Sequence, residues 1–162
     1  MSPVDANKKP KQINAPLVKT GMKYAGRAHA WLYRRTGGKI GSNWRVGAGA
    51  KKPVPTLLLE HRGRKSGKVF VSPLVYITEG DNVIVVASMG GRDENPQWYH
   101  NLVADPDVHI EIGRDRRAVR AVVASPEEKA RLWPKLVDAY ADFDAYQSWT
   151  DRDIPVIILT PR

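Results

Sequence analysis

Short apolar segments separated by tight turns fill most of the chain after residue 53. Their length and their content of Val, Ile and Leu are typical of β-strands, and turns such as EGDN and GRDR join neighbouring segments. Few helical segments interrupt them, so the pattern predicts a mainly β, α+β fold in which about six strands form a small barrel or closed sheet. The last segment, IPVIILTP, is too apolar for an edge strand exposed on both faces. The six candidate strands are 55–61, 69–78, 82–88, 107–113, 116–124 and 154–161.

Two helices are predicted between these strands. NPQWYHNLVAD should begin with Asn95 as the N-cap and Pro96 at the first helical position. SPEEKARLWPKLVDAYADFDAY should begin after Ser125, which can form a capping box with Glu128. Pro134 lacks the N–H group that a helix interior requires, so we expect it to break or kink the second helix.

Positive charge is concentrated at the N-terminal end. Residues 1–52 hold 12 of the 26 Lys and Arg but only one of the 17 acids, so the net charge of +9 arises there and the rest of the chain is near neutral. A nucleic-acid-binding sheet would instead interleave aromatic and basic residues, so no nucleic acid is expected. The segregated charge indicates local contact with anionic lipid or with an anionic ligand.

The chain divides into three regions by composition. Residues 1–15 are polar and proline-containing and are predicted to form a disordered basic tail. Residues 16–52 comprise a basic amphipathic helix over 16–35, followed by a glycine-rich loop. The apolar face of this helix either packs on the domain or contacts a membrane surface. Residues 53–162 form the β domain.

Several kinds of chemistry are excluded or disfavoured. The chain has no cysteine, so disulfides and thiolate chemistry are excluded. Its four histidines lack paired metal-ligand spacing, so no metal site is expected. Neither a dinucleotide-binding nor a nucleoside-triphosphate fingerprint is present. No apolar run is long enough to span a membrane, and the N-terminus lacks the apolar core of a signal peptide, which fits a cytoplasmic protein.

The stretch RGRKSGK, residues 62–68, places four positive charges at a turn between two predicted strands. Arg62, Arg64, Lys65 and Lys68 supply the charge, while Ser66 and its neighbouring glycine permit a close approach to the backbone. Such a turn suits a phosphate or a carboxylate. A solvated basic hairpin turn is the alternative interpretation.

Two further stretches are candidates for a site. In VVASMGG a strand runs into Ser88 and two glycines, and a helix N-terminus follows, which suits a ligand lying close to the backbone. Trp98 and Tyr99 in that helix either stack on a ligand ring or pack in the core. In YADFDAY, aromatic residues recur every third position and would share one face of a helix, either as packing or as part of a pocket.

RGRKSGK, VVASMGG, NPQWYHNLVADPDV and YADFDAYQSWTDRDIPVIIL together resemble the deazaflavin-dependent nitroreductase and quinone reductase family of actinobacteria. Its members bind coenzyme F-420, a flavin analogue with carbon in place of the central ring nitrogen. The order and spacing of all four motifs match, and the resemblance covers about residues 36–162. It implies a split β-barrel related to FMN-binding oxidoreductases. It also implies hydride transfer from the reduced deazaflavin to a quinone, a nitroaromatic compound or an activated alkene.

The resemblance implies a set of coenzyme-binding residues. The phosphate and oligoglutamate tail would lie on the basic turn, at Arg64, Lys65, Ser66, Gly67 and Lys68. The segment beside the deazaflavin ring would be Ala87, Ser88, Met89, Gly90 and Gly91. The helix that closes this side would contribute Asn95, Pro96, Trp98 and Asn101.

The resemblance also implies a substrate pocket and catalytic groups. Ser88 and nearby backbone N–H groups would bond the carbonyl edge of the ring, and Tyr140 or Tyr146 would donate to the oxygen of the hydride acceptor. Phe143 completes the pocket, where family nitroreductases often carry tyrosine, and Met89 stands where the best-known nitroreductase type has lysine. Both changes make the pocket less polar, which disfavours nitroimidazole reduction and leaves quinones and enones as acceptors.

Two other functions remain open at this point. One is an FMN-dependent oxidoreductase on the same barrel, and the other is a non-catalytic protein that binds the deazaflavin or a hydrophobic ligand. Because quinones reside in membranes, the basic helix over 16–35 would hold the pocket at the anionic inner face of the cell membrane. The sequence does not specify an oligomeric state.

Overall fold

The structure is a computed structural model that describes residues 9–44 and 53–162. The strands of the sheet pair only in the antiparallel sense. A short 3-10 helix at Met89–Gly91 follows β5. The helices and strands are α1 Pro16–Thr36, β1 Asn43–Trp44, β2 Val54–Arg62, β3 Val69–Val75, β4 Ile77–Glu79, β5 Asn82–Val86, α2 Gln97–Ala104, β6 Asp107–Ile112, β7 Asp115–Val123, α3 Pro126–Ala139, α4 Asp142–Ser148 and β8 Val156–Pro161.

The sheet closes on itself through the segment predicted as one strand over 69–78. Its strand order is β3-β2-β6-β7-β8-β5-β4, and β1 pairs with the first residues of β2. The two outermost strands, β3 and β4, are consecutive in the chain and are separated only by Tyr76. The backbone N–H of Tyr76 donates to the carbonyl of Pro55 at 3.2 Å. The sheet must therefore curl into a barrel, which confirms the predicted fold class.

Alternating side chains on the strands separate three apolar clusters. In β5, Val83 and Val85 point into the barrel, whereas Ile84 and Val86 pack on the outer layer formed by α3 and α4. The C-terminal strand β8 has the same alternation and is apolar on both faces because it lies between β7 and β5 under those helices. A third cluster joins α1 to β2 through Ala30, Tyr33 and Leu58. Burial on both sides explains why IPVIILTP is not an edge strand.

The helix boundaries correct two predictions. Pro96 is the N-cap of α2, so the expected cap Asn95 lies one residue earlier, and its side-chain oxygen instead accepts a hydrogen bond from Arg152 at 2.7 Å. Pro134 does not break α3. Pro134 has no N–H group to donate to the carbonyl of Ala130, four residues earlier. Because both residues are exposed, water can donate to that carbonyl instead.

The capping box of α3 is confirmed. The backbone N–H of Glu128 donates to Ser125 Oγ at 3.2 Å, and the backbone N–H of Ser125 donates to Glu128 Oε1 at 3.0 Å. The helix ends at Tyr140, whose extended backbone separates α3 from α4. The segment predicted as one helix is therefore two.

Helix α1 packs on the barrel through one face and leaves a row of large apolar side chains exposed on another. It buries Ala30 and Tyr33, while Leu17, Tyr24 and Trp31 are between 62% and 86% exposed. Positions 17, 24 and 31 are two turns apart and share one face of the helix. No helix among the described residues is long and apolar enough to cross a membrane.

Parts of the predicted tail and glycine-rich loop lie outside the described residues. Within the part of the tail that the structure describes, residues 9–15 form a turn that contacts the domain. Lys9 Nζ lies 2.7 Å from Asp93 Oδ1 and donates to the carbonyl of Trp149 at 2.8 Å. Asn14 Nδ2 donates to Asp93 Oδ2 at 2.7 Å.

Candidate functional site

The basic turn between β2 and β3 is folded on itself. The backbone N–H of Gly63 donates to the carbonyl of Lys68, and that of Gly67 donates to the carbonyl of Gly63, each at 2.8 Å. Arg62 Nη1 donates to the carbonyl of Gly67 at 3.0 Å. Gly67 has a φ of +70° and open space around it, so the turn has a left-handed residue at its tip and solvent beside it.

The charges of this turn have no compensating acids. Across residues 9–44 and 53–162, no carboxylate is within ion-pair distance of Arg62, Arg64, Lys65 or Lys68. Some exposed cations elsewhere are paired, as Arg131 and Lys135 both contact Glu79. An exposed, unpaired cluster of cations fits an anionic ligand.

Helix α2 anchors the basic turn through Arg64. Asn101 Oδ1 accepts from both the backbone N–H and Nη1 of Arg64, each at 3.1 Å, and Gln97 Oε1 accepts from Nη1 at 3.0 Å. The amide nitrogen of Asn101 donates to Nδ1 of His61 at 3.0 Å. Asn101 thus connects the turn to a buried histidine. The sequence resemblance assigns it to the helix beside the ring, and in the structure its side chain contacts the turn.

The segment after β5 bends sharply. Ser88 has right-handed φ and ψ, and Met89 follows with a φ of 47°, which makes it the one non-glycine residue with positive φ in the described parts of the chain. Such an alternation turns successive N–H groups to one side and forms a concavity for oxygen ligands. Gly90 and Gly91 continue with positive φ. We call Ala87–Gly91 the ring segment.

Gly91 is the contact between the ring segment and α4. A Cβ atom at this position would lie 2.9 Å from Trp149 Cε3, closer than real Cβ atoms approach, and 3.0 Å from the Cα of Tyr146, which is tighter than most such contacts. The ring segment therefore lies directly on the C-terminal half of α4. This contact places the predicted ring segment beside the predicted substrate pocket.

Arg152 holds the ring segment in place. Its Nη2 donates to the carbonyls of Ala87 at 3.2 Å and Ser88 at 2.9 Å, and its Nε donates to the carbonyl of Arg92 at 2.9 Å. Its Nη1 donates to Asn95 just before α2. Burial lowers the pKa of the Arg152 guanidinium from its ordinary value. Arg152 therefore fixes the start and the end of the loop between β5 and α2.

The predicted pocket aromatics form one cluster. The ring centroids of Tyr140 and Phe143 are 4.9 Å apart in an edge-to-face arrangement, and those of Tyr146 and Trp149 are 5.6 Å apart. The hydroxyl groups of Tyr140 and Tyr146 lie 3.2 Å from each other. Burial raises the pKa of the Tyr146 hydroxyl, with the nearby charge of Asp142 acting in the same direction. Tyr146 therefore holds its proton at neutral pH.

Helix α2 joins the two halves of the site. Its first residue, Gln97, contacts the basic turn, and Asn95, two residues earlier, contacts Arg152 beside the ring segment. Trp98 is buried in the barrel core, where its side chain anchors the helix. The turn, the ring segment and the aromatic cluster thus form one continuous region.

Arg92, beside the ring segment, is among the largest buried side chains of the described residues. It is 2% exposed, and within residues 9–44 and 53–162 its Nε and Nη1 have no hydrogen-bond partner. Its Nη2 lies 3.3 Å from Glu94 Oε1 and 3.4 Å from the carbonyl of Asn14. Arg92 thus contributes to the attachment of residues 9–15 to this side of the site.

Three residues of the site are missing from the sequence prediction. His61, Gln97 and Arg152 act through hydrogen bonds to residues 33 to 65 positions away in the chain. For Arg152 the only local signal is an arginine just before an apolar strand, which most proteins expose. Contacts between distant segments, rather than local patterns, define their roles.

An open apolar depression of about 340 Å³ lies elsewhere, between the C-terminal half of α2 and β7. None of the residues predicted for coenzyme or substrate lines it. Its lining residues are Leu102, Val103, Pro106, Arg120, Ala121, Val122, Val123 and Ile157. It is therefore separate from the candidate site.

A solved structure supports the fold and the kind of site. The structure titled "Structure of F420-H2 Dependent Reductase (FDR-A)" aligns with 65% of this chain and 93% of its own, at 37% identity and a TM-score of 0.61. The fold is therefore the split β-barrel of F-420-dependent reductases, which confirms the fold implied by the sequence resemblance.

Comparisons of sequence define the family. The family model described as "F420H(2)-dependent quinone reductase" matches residues 25–161. A Mycobacterium tuberculosis protein whose name assigns it to the same group is 73% identical over 118 residues, covering 73% of this chain and 99% of its own length. A second M. tuberculosis protein with that description is 42% identical over 139 residues, covering 84% and 89%. The chain belongs to this family of oxidoreductases, whose hydride donor is reduced coenzyme F-420.

Proposed function

We propose that this protein reduces a quinone with reduced coenzyme F-420 bound along the basic turn, α2 and the ring segment. The phosphate and glutamate tail binds Arg64, Lys65, Ser66, Gly67 and Lys68, and the ring lies on Ala87–Gly91. The observation that carries the proposal is the unpaired positive charge of the turn, joined through α2 to the ring segment. The carboxylates and the phosphate of the tail are the partners that such a turn lacks within the described residues.

The ring segment fits a flat ligand with carbonyl oxygens at its edge. The bend at Ser88 and Met89 directs backbone N–H groups to one side, and the glycines leave no side chains there. Because Arg152 fixes the carbonyls of Ala87 and Ser88, these N–H groups are oriented before a ligand binds. Ser88 adds a hydroxyl at the same place.

When bound, the reduced coenzyme supplies a hydride, because carbon replaces the reactive ring nitrogen. The tyrosine pair acts on the acceptor. Tyr140 is 5% exposed and Tyr146 is half-buried, so Tyr146 reaches the pocket and Tyr140 orients it. When Tyr140 donates to Tyr146, the Tyr146 proton is directed to the acceptor oxygen and stabilises the negative charge that develops there.

The pocket composition favours quinones over nitroimidazoles. Phe143 is buried against Tyr140 and Trp133, and it contributes no hydroxyl group. Met89 contributes a thioether where the best-known nitroreductase type has a charged amine. An aromatic, weakly polar pocket suits a quinone ring, while simple nitroaromatic compounds and enones are secondary acceptors of the same hydride.

The exposed face of α1 supports contact with the inner face of the cell membrane. Leu17, Tyr24 and Trp31 form an outward stripe. The Arg27 guanidinium lies beside it, 5.9 Å from the centroid of the Tyr24 ring, and Lys23 is exposed on the same helix. No carboxylate in the described ranges pairs with Lys23 or Arg27, whereas other cations of the helix are paired with acids of the domain. A cationic helix with an exposed aromatic stripe binds anionic lipid surfaces, where quinones dissolve.

Fluorescence titration with oxidised coenzyme F-420, with FMN in parallel, tests the binding site. Arg64→Ala/Lys65→Ala should weaken coenzyme binding by about tenfold, because two charge-assisted contacts to the tail are lost. Lys23→Ala/Arg27→Ala removes the same charge from α1 and should leave the affinity unchanged. Tighter binding of FMN than of F-420 would contradict the proposed binding site. Equal weakening of F-420 binding by the two double variants would contradict it as well.

A further inference from the structure

We infer that His61 is a positioning residue for the coenzyme tail: through Asn101 it holds the basic turn in the conformation that meets the anion. The inference rests on the proposed binding of the tail to residues 62–68. His61 is the second-last residue of β2 and is 5% exposed, so it contributes no charge to the surface of the turn. Its effect on the turn must therefore be transmitted through its hydrogen bonds.

The central residues of the turn have few attachments to the rest of the protein. Most of their hydrogen bonds lie within the turn, as between Gly63 and Lys68. Among the described residues, the attachment outside the flanking strands is Arg64, whose backbone N–H and Nη1 both donate to Asn101 Oδ1 at 3.1 Å. One oxygen atom of Asn101 therefore accepts from both the main chain and the side chain of Arg64. Gln97 Oε1 also accepts from Nη1, at 3.0 Å, so the main-chain contact is the one that Asn101 makes alone.

The orientation of the Asn101 carboxamide depends on His61. Asn101 is 4% exposed, so water cannot replace a lost partner. Arg64 presents two donors, so the carboxamide oxygen must face the turn and the amide nitrogen must face His61 Nδ1, 3.0 Å away. Only a lone pair on Nδ1 can accept that proton. A flipped carboxamide, or a proton on Nδ1, would place donor against donor in a buried position.

The other side of the His61 ring favours the same state. Its Nε2 lies 3.0 Å from Ser72 Oγ on β3, so the Nε2–H group donates to that hydroxyl. The ring also stacks on Phe70, with centroids 5.9 Å apart and planes 26° apart. Burial lowers the pKa of His61 to about 4, so the ring is neutral at neutral pH, as the hydrogen bonds require.

Ser72, His61, Asn101 and Arg64 therefore form one chain of hydrogen bonds from β3 to the turn. Loss of the acceptor at Nδ1 should release Asn101 and then Arg64, while every charge of the turn remains. The effect should be confined to ligands that carry the tail. This separates the role of His61 from that of the cations that contact the anion.

Fluorescence titration with two ligands tests this role: oxidised F-420, and its deazaflavin fragment that ends at the ribityl chain. His61→Leu should weaken F-420 binding by about tenfold and leave fragment binding unchanged, because one charge-assisted contact loses its geometry. His61→Asn places an amide oxygen near the Nδ1 position and should retain most of the affinity. His109→Leu, on the neighbouring strand β6, is the matched control and should change neither affinity.

The outcomes separate positioning from packing, because both substitutions at His61 remove the ring. Selective rescue by His61→Asn supports the inference, whereas equal losses of both ligands in both variants, or unchanged F-420 binding in folded His61→Leu, would overturn it. Thermal melting identifies variants that do not fold. If the wild-type protein binds F-420 and the fragment equally well, the proposed tail site has failed instead.

Nitrogen-15 NMR of the histidines in the wild-type protein gives a test that needs no ligand. His61 should carry its proton on Nε2 and none on Nδ1 between about pH 5 and 8, because Nε2 donates to Ser72 and Nδ1 accepts from Asn101. A proton on Nδ1 in that range would overturn the inference whatever the coenzyme does.

Discussion

Tyr146 combines three properties that a proton donor in a hydride transfer needs. Its hydroxyl is next to that of Tyr140, its raised pKa keeps it protonated, and its backbone touches Gly91 of the ring segment. A positioned donor of this kind typically contributes about 10²-fold to turnover. The proposed proton donor and the proposed hydride source therefore lie on adjacent parts of the fold.

Tyr146→Phe should lower the turnover of a soluble quinone by about 10²-fold, while coenzyme affinity measured by fluorescence stays unchanged. Tyr140→Phe should cost less, because it removes the partner of the donor and leaves the donor itself. Since a raised pKa keeps the proton in place, the wild-type rate should not fall with rising pH until beyond about pH 10. Wild-type turnover in both variants would show that neither hydroxyl takes part.

At this scale the sequence predicts the residue types well and their partners poorly. The cations of RGRKSGK and the glycines of VVASMGG are recognisable because local charge and backbone freedom define their chemistry. The sequence predicts Asn95 as a helix cap from its position, but its side-chain oxygen accepts a hydrogen bond from Arg152, 57 residues away. Local rules cannot foresee such competition, because it depends on how β8 and α4 pack.

At the scale of elements, the loop between β5 and α2 is held from outside rather than by its own hydrogen bonds alone. Arg152 donates to the carbonyls of Ala87, Ser88 and Arg92 and to the side chain of Asn95. One guanidinium therefore replaces the regular backbone pairing that the chain loses when it leaves β5. This explains how a bend with consecutive positive φ values can be kept.

Arg152→Gln should destabilise the protein by about 2 kcal/mol, because a carboxamide cannot serve four acceptors and buried carbonyls lose their donors. It should also weaken binding of both F-420 and the deazaflavin fragment, in contrast to His61→Leu. Arg120→Gln, which removes an exposed ion pair with Asp107, is the control and should cost less than about 1 kcal/mol. Urea unfolding measures the first effect, and a loss no larger than that of the control would contradict this role.

Helix α1 shows what periodicity leaves undecided about an element. The pattern correctly predicts a helix beginning at Pro16, and the structure extends it to Thr36. The pattern does not say which face is buried, because small residues such as Ala30 can pack more closely than large ones. The barrel takes the face with Ala30 and Tyr33 and leaves Trp31 outside.

At the scale of the whole molecule, charge and apolar surface have separate places. Three cations of the basic N-terminal region, Lys9, Lys19 and Arg34, pair with acids of the domain. Lys23 and Arg27 are exposed on α1, and no carboxylate among the described residues pairs with either of them. The same helix therefore has one face against the domain and one exposed apolar face.

Flotation with vesicles of neutral or anionic phospholipid tests whether that exposed face binds a membrane. The full-length protein should float with anionic vesicles, and the triple variant Leu17→Gln/Tyr24→Gln/Trp31→Gln should not, because the stripe can no longer enter the lipid interface. Val122→Thr/Val123→Thr, which alters exposed apolar residues on β7, is the matched control and should float like the wild-type protein.

The charge of α1 gives an independent arm of the same measurement. Lys23→Gln/Arg27→Gln should weaken vesicle binding by about 1 kcal/mol for each residue, and added salt should reduce wild-type binding towards that level. All these variants should keep their turnover of a water-soluble quinone, because the changed side chains lie away from the tyrosine pair, while turnover of a lipid-embedded quinone should fall with vesicle binding. Equal flotation of the wild-type protein and the triple variant would show that the stripe faces something other than lipid, and the position of the pocket at the membrane would then have no basis in α1.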